Sequence, residues 1–74
     1  GGAALAAEEP PSPWEQIDLS GTLVEASRRV LREAEKHKIE QVLRETESNK
    51  GRAAELLGLT YKMFLSKLKE HRID

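Results

Sequence analysis

The residues best suited to bind a phosphate lie together at Asn49, Lys50, Gly51 and Arg52. Asn49 is a favourable helix cap, and the backbone N–H groups of the following turn would point towards an anion. Lys50 and Arg52 add positive charge beside those N–H groups. Gly51 either gives close access to the backbone or is merely tolerated there. We therefore expect these four residues to form a phosphate-binding site.

The sequence around this site predicts two short helices joined by a tight turn. The small residues Ala53 and Ala54 would let another helix approach closely, and Gly58 suits the positive φ at which a helix ends. Thr60 can cap a second helix with its hydroxyl group. In that helix Phe64 and Leu68 share one face, as core residues would. This arrangement is typical of a helix-turn-helix.

The second helix would present its remaining faces to a nucleic acid. Its first residues should approach base edges, while its later lysines suit phosphates. Tyr61 and Leu65 lie at the border of the core face, and Met63 lies on the opposite flank. The residues expected at DNA from this helix and its cap are Thr60, Tyr61, Lys62, Met63, Ser66, Lys67 and Lys69.

The segment from Asn49 to Leu68 also resembles a known family. Asn-Lys, then Ala-Ala-x-Leu-Leu-Gly-Leu, then Phe-x-x-Lys-Leu-Lys is similar to the Fis-type helix-turn-helix. That module stands alone in a nucleoid protein and ends the chain of NtrC-type activators of sigma-54 RNA polymerase. The resemblance extends from about Leu23 to Asp74. It implies a homodimer on palindromic DNA, joined to an upstream ATPase domain.

The sequence departs from this family at Tyr61 and Leu65. Fis-type recognition helices commonly carry arginine at these positions, where it can bind guanine or phosphate. Apolar side chains suit thymine methyl groups instead, so weaker recognition of G·C pairs is expected. The alternative is that both residues simply widen the core face of the helix.

A long helix should precede this module. Thr22 and Glu25 fit a capping box, and no glycine or proline occurs from there to Thr46. One apolar stripe should pack under the helix-turn-helix, at Ile39, Val42, Leu43 and Thr46. A second stripe is too distant to be covered by it, and is formed by Leu23, Ser27, Val30, Leu31 and Ala34. Either Trp14, Ile17 and Leu19 cover this second stripe, or two copies of the helix pack together there.

Charge is unevenly distributed along the chain. Residues 1–25 contain five acidic residues and no basic ones, whereas residues 50–74 contain six basic residues against three acidic ones. A basic helical unit behind an acidic segment fits a nucleic-acid partner despite a net charge of −1. Residues 1–20, with Pro10, Pro11 and Pro13, are predicted to be a flexible arm, and residues 21–74 the domain.

Several classes of function find little support in the sequence. The chain has no cysteine, and its two histidines are widely separated, so no metal site and no cofactor is expected. We expect His37 to face solvent and His71 to favour the dipole at a helix end. No nucleophile and base are paired, so an enzyme is not expected. No apolar run is long enough to cross a membrane, and a cytoplasmic location is expected.

These observations predict an all-α, Fis-like fold, with helices at about 22–46, 50–57 and 61–71. The expected function is dimeric, sequence-specific DNA binding by the domain of a sigma-54-dependent regulator. A stand-alone Fis-like nucleoid protein is one alternative. The other is a protein-interaction module that uses the strip formed by Tyr61, Met63 and Leu65.

Overall fold

A computed structural model describes residues 12–74, and the first eleven residues of the predicted arm lie outside the described part. A short 3₁₀ turn spans Pro13–Gln16, and three helices follow: α1 at Leu23–Glu45, α2 at Lys50–Leu57 and α3 at Tyr61–Glu70. No strand occurs in the described residues, which confirms the all-α fold. The chain divides within α1 into two compact units, one ending at Val30 and the other beginning at Leu31.

The start of α1 is fixed by the predicted capping box. The backbone N–H of Thr22 donates to Glu25 Oε1 at 2.9 Å, and the backbone N–H of Glu25 donates to Thr22 Oγ1 at 3.2 Å. Just before it, Gly21 adopts a φ of 91°, which a residue with a side chain rarely tolerates. Arg29 secures this end further, because its Nη1 donates to the carbonyl oxygens of Asp18 and Ser20.

The N-terminal stripe of α1 is largely open to solvent. Leu23 is 84% exposed and Leu31 is 60% exposed, Ser27 and Ala34 are exposed as well, and Val30 is half-buried. The arm residues Trp14, Ile17 and Leu19 are themselves exposed. These three residues therefore leave Leu23 and Leu31 uncovered, and the interpretation that they cover the stripe is contradicted at those two positions. The sequence pattern also missed Val24, an exposed apolar residue on the same turns of the helix.

The C-terminal part of α1 lies in the core of the second unit, as predicted. Ile39, Val42 and Leu43 are buried in one cluster with Ala53 and Ala54 of α2 and Phe64 and Leu68 of α3. Phe64 is completely enclosed. Ala53 and Ala54 are buried within this cluster, as small residues at a helix contact should be. Thr46 is half-buried at the edge, where its hydroxyl donates to the carbonyl oxygen of Val42 at 2.9 Å.

All three helices end in the same hydrogen-bonded turn, in which a residue of positive φ reverses the chain. After α2 this residue is Gly58, with a φ of 72°, and the next residue's N–H donates to Ala54 O at 3.0 Å. After α1 and α3 the equivalent positions hold Glu47 and Arg72, at φ values of 52° and 55°. This is the Schellman arrangement, and only the middle turn uses glycine for it. Within residues 12–74, none of the helices combines the length and apolar character needed to cross a membrane.

Candidate nucleic-acid interface

The N-terminus of α2 has the cap that the sequence predicts. Asn49 Oδ1 accepts a hydrogen bond from the backbone N–H of Arg52 at 3.0 Å. Lys50 and Gly51 are exposed beside it, and a Cβ built on Gly51 would meet only Asn49 Oδ1, at 3.7 Å. The Arg52 guanidinium lies 3.1 Å from Glu55 Oε2 and remains mostly exposed. The first turn therefore presents open backbone and two cationic side chains to solvent.

The start of α3 is fixed in the same way. Thr60 Oγ1 accepts from the backbone N–H of Met63 at 3.1 Å, which confirms Thr60 as the cap. Lys62, Ser66 and Lys69 are exposed on the outward face of the helix. This face is free to enter a groove of a nucleic acid, because Phe64 and Leu68 hold the opposite face in the core.

Tyr61 and Leu65 lie outside the core. Tyr61 is 51% exposed and Leu65 is 41% exposed, whereas Phe64 between them is fully buried. The interpretation that they widen the core face is therefore wrong. Met63 is 52% exposed on the other flank of the helix. All three large apolar side chains of α3 outside the core are available to a partner.

Lys67, like Arg52, is already ion-paired within the protein, but one of its partners lies on a different helix. Its Nζ lies 2.9 Å from Glu35 Oε1 on α1 and 3.3 Å from Glu70 Oε2. The hydrogen bond to Glu35 is the main reason why the pKa of Lys67 is raised, and the bond to Glu70 adds to it. Lys67 connects α3 to α1, so a phosphate would have to compete with Glu35 for it.

His71 lies at the end of α3, as expected, but its burial was not predicted. It is 7% exposed, and its Nε2 lies 3.0 Å from Glu35 Oε1. The hydrogen bonds from His71 and then from Lys67 lower the pKa of Glu35. The spacing of Phe64, Leu68 and His71, at i, i+4 and i+7, placed all three on one helix face and could have predicted this burial. His37 is exposed, as expected.

The same cluster contains the side chains that come nearest to a metal-binding set among the described residues. One potential ligand atom from each of Glu35, Glu70 and His71 lies within 4.8 Å of the others. The ammonium group of Lys67 already supplies positive charge to both carboxylates there. The arrangement is a hydrogen-bonded connection between α1 and α3, and its members satisfy one another.

Comparison with known proteins identifies the family. No curated protein and no solved structure matched the chain. Residues 30–71, more than half of the chain, match the family model described as bacterial regulatory protein, Fis family. The match includes the C-terminal part of α1, the core cluster, α2, the turn at Gly58 and α3. The chain therefore belongs to the Fis family of bacterial regulatory proteins, and its helix-turn-helix is a module that binds double-stranded DNA.

Proposed function

We propose that this chain is the DNA-binding domain of an NtrC-type, sigma-54-dependent activator, and that it binds palindromic enhancer sites as a homodimer. The observations that carry the proposal are the exposed outward face of α3 and the capped, cationic start of α2. A recognition helix in the major groove and a helix N-terminus at a phosphate together fix the register of such a module on DNA.

The proposed DNA contacts divide into two groups. Asn49, Lys50, Gly51 and Arg52, with Lys67 and Lys69 of α3, would bind phosphates, which position the protein without selecting a sequence. Thr60 to Met63, together with Ser66, would approach base edges in the major groove. Lys50 and Lys69 are exposed, so both side chains are accessible to phosphates.

The exposed apolar residues of α1 support the homodimer. Leu23 and Leu31 are mostly exposed, and leaving a large aliphatic side chain in water forgoes roughly 1.5–3 kcal/mol. A second copy related by a twofold axis would cover the same residues on both chains. Two recognition helices would then face half-sites about one helical turn apart, which requires a palindromic site.

The sigma-54 assignment rests on the resemblance to NtrC-type activators and on the composition of the N-terminal residues. Residues 1–20 carry acidic residues, three prolines and no basic residue, which suits a solvated tether. Such a tether would join this domain to an upstream ATPase domain in the cytoplasm, in a regulator of the two-component type.

An unbiased selection of bound DNA sequences tests the main proposal. A dimeric, sequence-specific domain should enrich a palindrome, and its affinity should fall steeply with salt as counterions are released. Salt-dependent binding without an enriched motif would instead favour a stand-alone, Fis-like nucleoid protein. Failure to bind DNA, together with binding of a protein partner whose affinity barely changes with salt, would favour the interaction module formed by Tyr61, Met63 and Leu65.

The phosphate-binding residues can be tested with one double variant. Replacing Lys50 and Arg52 by alanine should weaken binding to all DNA sequences to a similar extent. The slope of log affinity against log salt should become shallower by about one for each phosphate that is no longer bound. The control replaces Lys36 and Lys38 on α1 by alanine, which removes the same charge elsewhere. Equally weakened binding in the two variants would mean that net charge, and not a located phosphate site, governs the affinity.

A further inference from the structure

The recognition helix α3 offers an unusual set of groups to a base pair. Its sequence is YKMFLSKLKE, which contains no arginine, asparagine or glutamine. Arginine or lysine can make paired hydrogen bonds to guanine, and asparagine or glutamine to adenine, in the major groove. Of these side chains α3 contains only lysine, whose flexible ammonium group lacks the planar, preorganised donors of arginine. The hydroxyl groups of Tyr61 and Ser66 can each donate or accept, so they distinguish bases less sharply. Hydrogen bonding from α3 therefore gives limited discrimination between bases.

Apolar surface is what α3 offers in abundance. Tyr61 and Leu65 are four residues apart, so their side chains are neighbours on one face of the helix. Both are about half exposed, and neither is needed to fill the core, since Phe64 and Leu68 do so. Met63 points away from this pair, because two residues correspond to about half a helical turn. Tyr61 and Leu65 thus form one apolar patch that begins at the N-terminus of α3.

The major groove presents one apolar group among the four bases, the 5-methyl group of thymine. Burying that methyl against an apolar side chain is favourable, while setting the same side chain against a guanine edge leaves an acceptor without a donor. Tyr61 follows the Thr60 cap directly, so it occupies the part of a recognition helix that approaches base edges.

We infer that Tyr61 and Leu65 determine the sequence specificity of this protein by contacting thymine 5-methyl groups in each half-site. The inference rests on the proposed binding of DNA through α3. Phosphate contacts supply affinity for any sequence, and the apolar patch selects among sequences. Half-sites should therefore carry thymines opposite the start of α3, and hydrogen bonds to guanine should add little.

The test removes the methyl group without altering any base pair. In the sites recovered by selection, each thymine is replaced in turn by uracil, and affinity is measured for the purified chain. At one or two positions in each half-site, the loss of the methyl should weaken binding about fourfold, the value for one buried methyl-sized group. Placing 5-methylcytosine for cytosine elsewhere in the site should change little.

Three variants assign the effect to the patch. Tyr61→Ala and Leu65→Ala should each reduce the difference between thymine and uracil sites, while Tyr61→Phe, which keeps the ring, should retain it. Leu56→Ala is the matched control, because Leu56 is an equally exposed apolar residue on α2. Loss of the preference in Tyr61→Phe would overturn the apolar assignment, since only the hydroxyl differs.

The failures of the two proposals are distinguishable. Salt-dependent, sequence-specific binding that is equal on thymine and uracil sites would overturn the methyl contact alone. A selected site without thymine would overturn it too, as would a uracil effect unchanged in both alanine variants. Absence of salt-dependent binding to any DNA would overturn DNA binding through α3 and this inference together.

Discussion

The two ends of α1 carry similar apolar residues in opposite surroundings. Towards the C-terminus, Ile39 and Val42 are buried beneath α2 and α3, while towards the N-terminus Leu23 and Leu31 lie open to solvent. The difference arises because the helix-turn-helix has enough apolar surface to cover only one end of α1. An apolar stripe on a helix thus shows where burial would be favourable. Whether the rest of the chain buries it depends on how the helices pack.

Truncating a core side chain that packs on the buried C-terminal part of α1 should have the largest effect on stability. Phe64→Ala would leave a cavity at the centre of the core cluster and should lower the free energy of unfolding by about 3–5 kcal/mol. The same truncation at the exposed end, Leu31→Ala, should change the stability of a monomer by less than about 0.5 kcal/mol. Chemical denaturation at low protein concentration measures both. Similar destabilisation in the two variants would show that the ends of α1 are covered equally.

Charging the exposed end should disrupt the proposed dimer. Val30→Glu with Leu31→Glu should give a monomer whose melting temperature does not rise with protein concentration, because the proposed dimer would couple folding to association in the parent chain. Affinity for a palindromic site should also fall, while affinity for one half-site should change less. The control, Lys38→Gln with Gln41→Glu, lowers the net charge by the same two units at exposed positions of α1 outside the stripe. A parent chain that sediments as a monomer at high micromolar concentration would contradict the proposal.

The turn at Gly58, between α2 and α3, should be destabilised by replacing its glycine. Gly58→Ala should lower the free energy of unfolding by about 1 kcal/mol, because alanine is disfavoured at a φ of 72°. No atom lies within 4 Å of the added Cβ, so the cost is one of backbone conformation. Gly51→Ala is the matched control inside a helix and should be neutral or stabilising. If Gly51 gives DNA close access to the backbone, that same control should weaken DNA binding.

The connection between Glu35, Lys67 and His71 should make a smaller contribution to the stability of the fold, and this contribution should depend on pH. Because folding lowers the pKa of Glu35 from 4.5, its stabilising effect is present above that value. The effect is lost as the pH falls through the still lower pKa of the folded state. Glu35→Gln should therefore flatten the dependence of stability on acidic pH, measured by thermal melts below pH 5. Glu33→Gln, on an exposed part of α1, is the control and should preserve that dependence.

Local chemistry explains why much of the fold is predictable from the sequence. The capping box of Thr22 and Glu25, the caps Asn49 and Thr60, and the turn at Gly58 each depend on residues a few positions apart. The core face of α3 follows from helical periodicity, and the family resemblance was confirmed by the match over residues 30–71. The domain boundary near residue 20 and the individual DNA contacts stay predictions.

Helix packing decides which of the remaining side chains are exposed to solvent. Local sequence patterns do not encode this packing. Glu35 meets Lys67 and His71 across 32 and 36 positions of sequence, a distance over which local patterns carry no information. Tyr61 and Leu65 lay at the border of a predicted core face, where periodicity alone cannot distinguish packing from exposure. Their exposure depends on how the helices meet, since Phe64 and Leu68 form the core cluster with residues of α1 and α2, and Tyr61 and Leu65 are not part of it. The sequence alone placed the starts and ends of the helices to within one residue, because caps and turns are local. Only the packing of those helices decided which surface is exposed for contact with DNA, because burial depends on residues far apart in the chain.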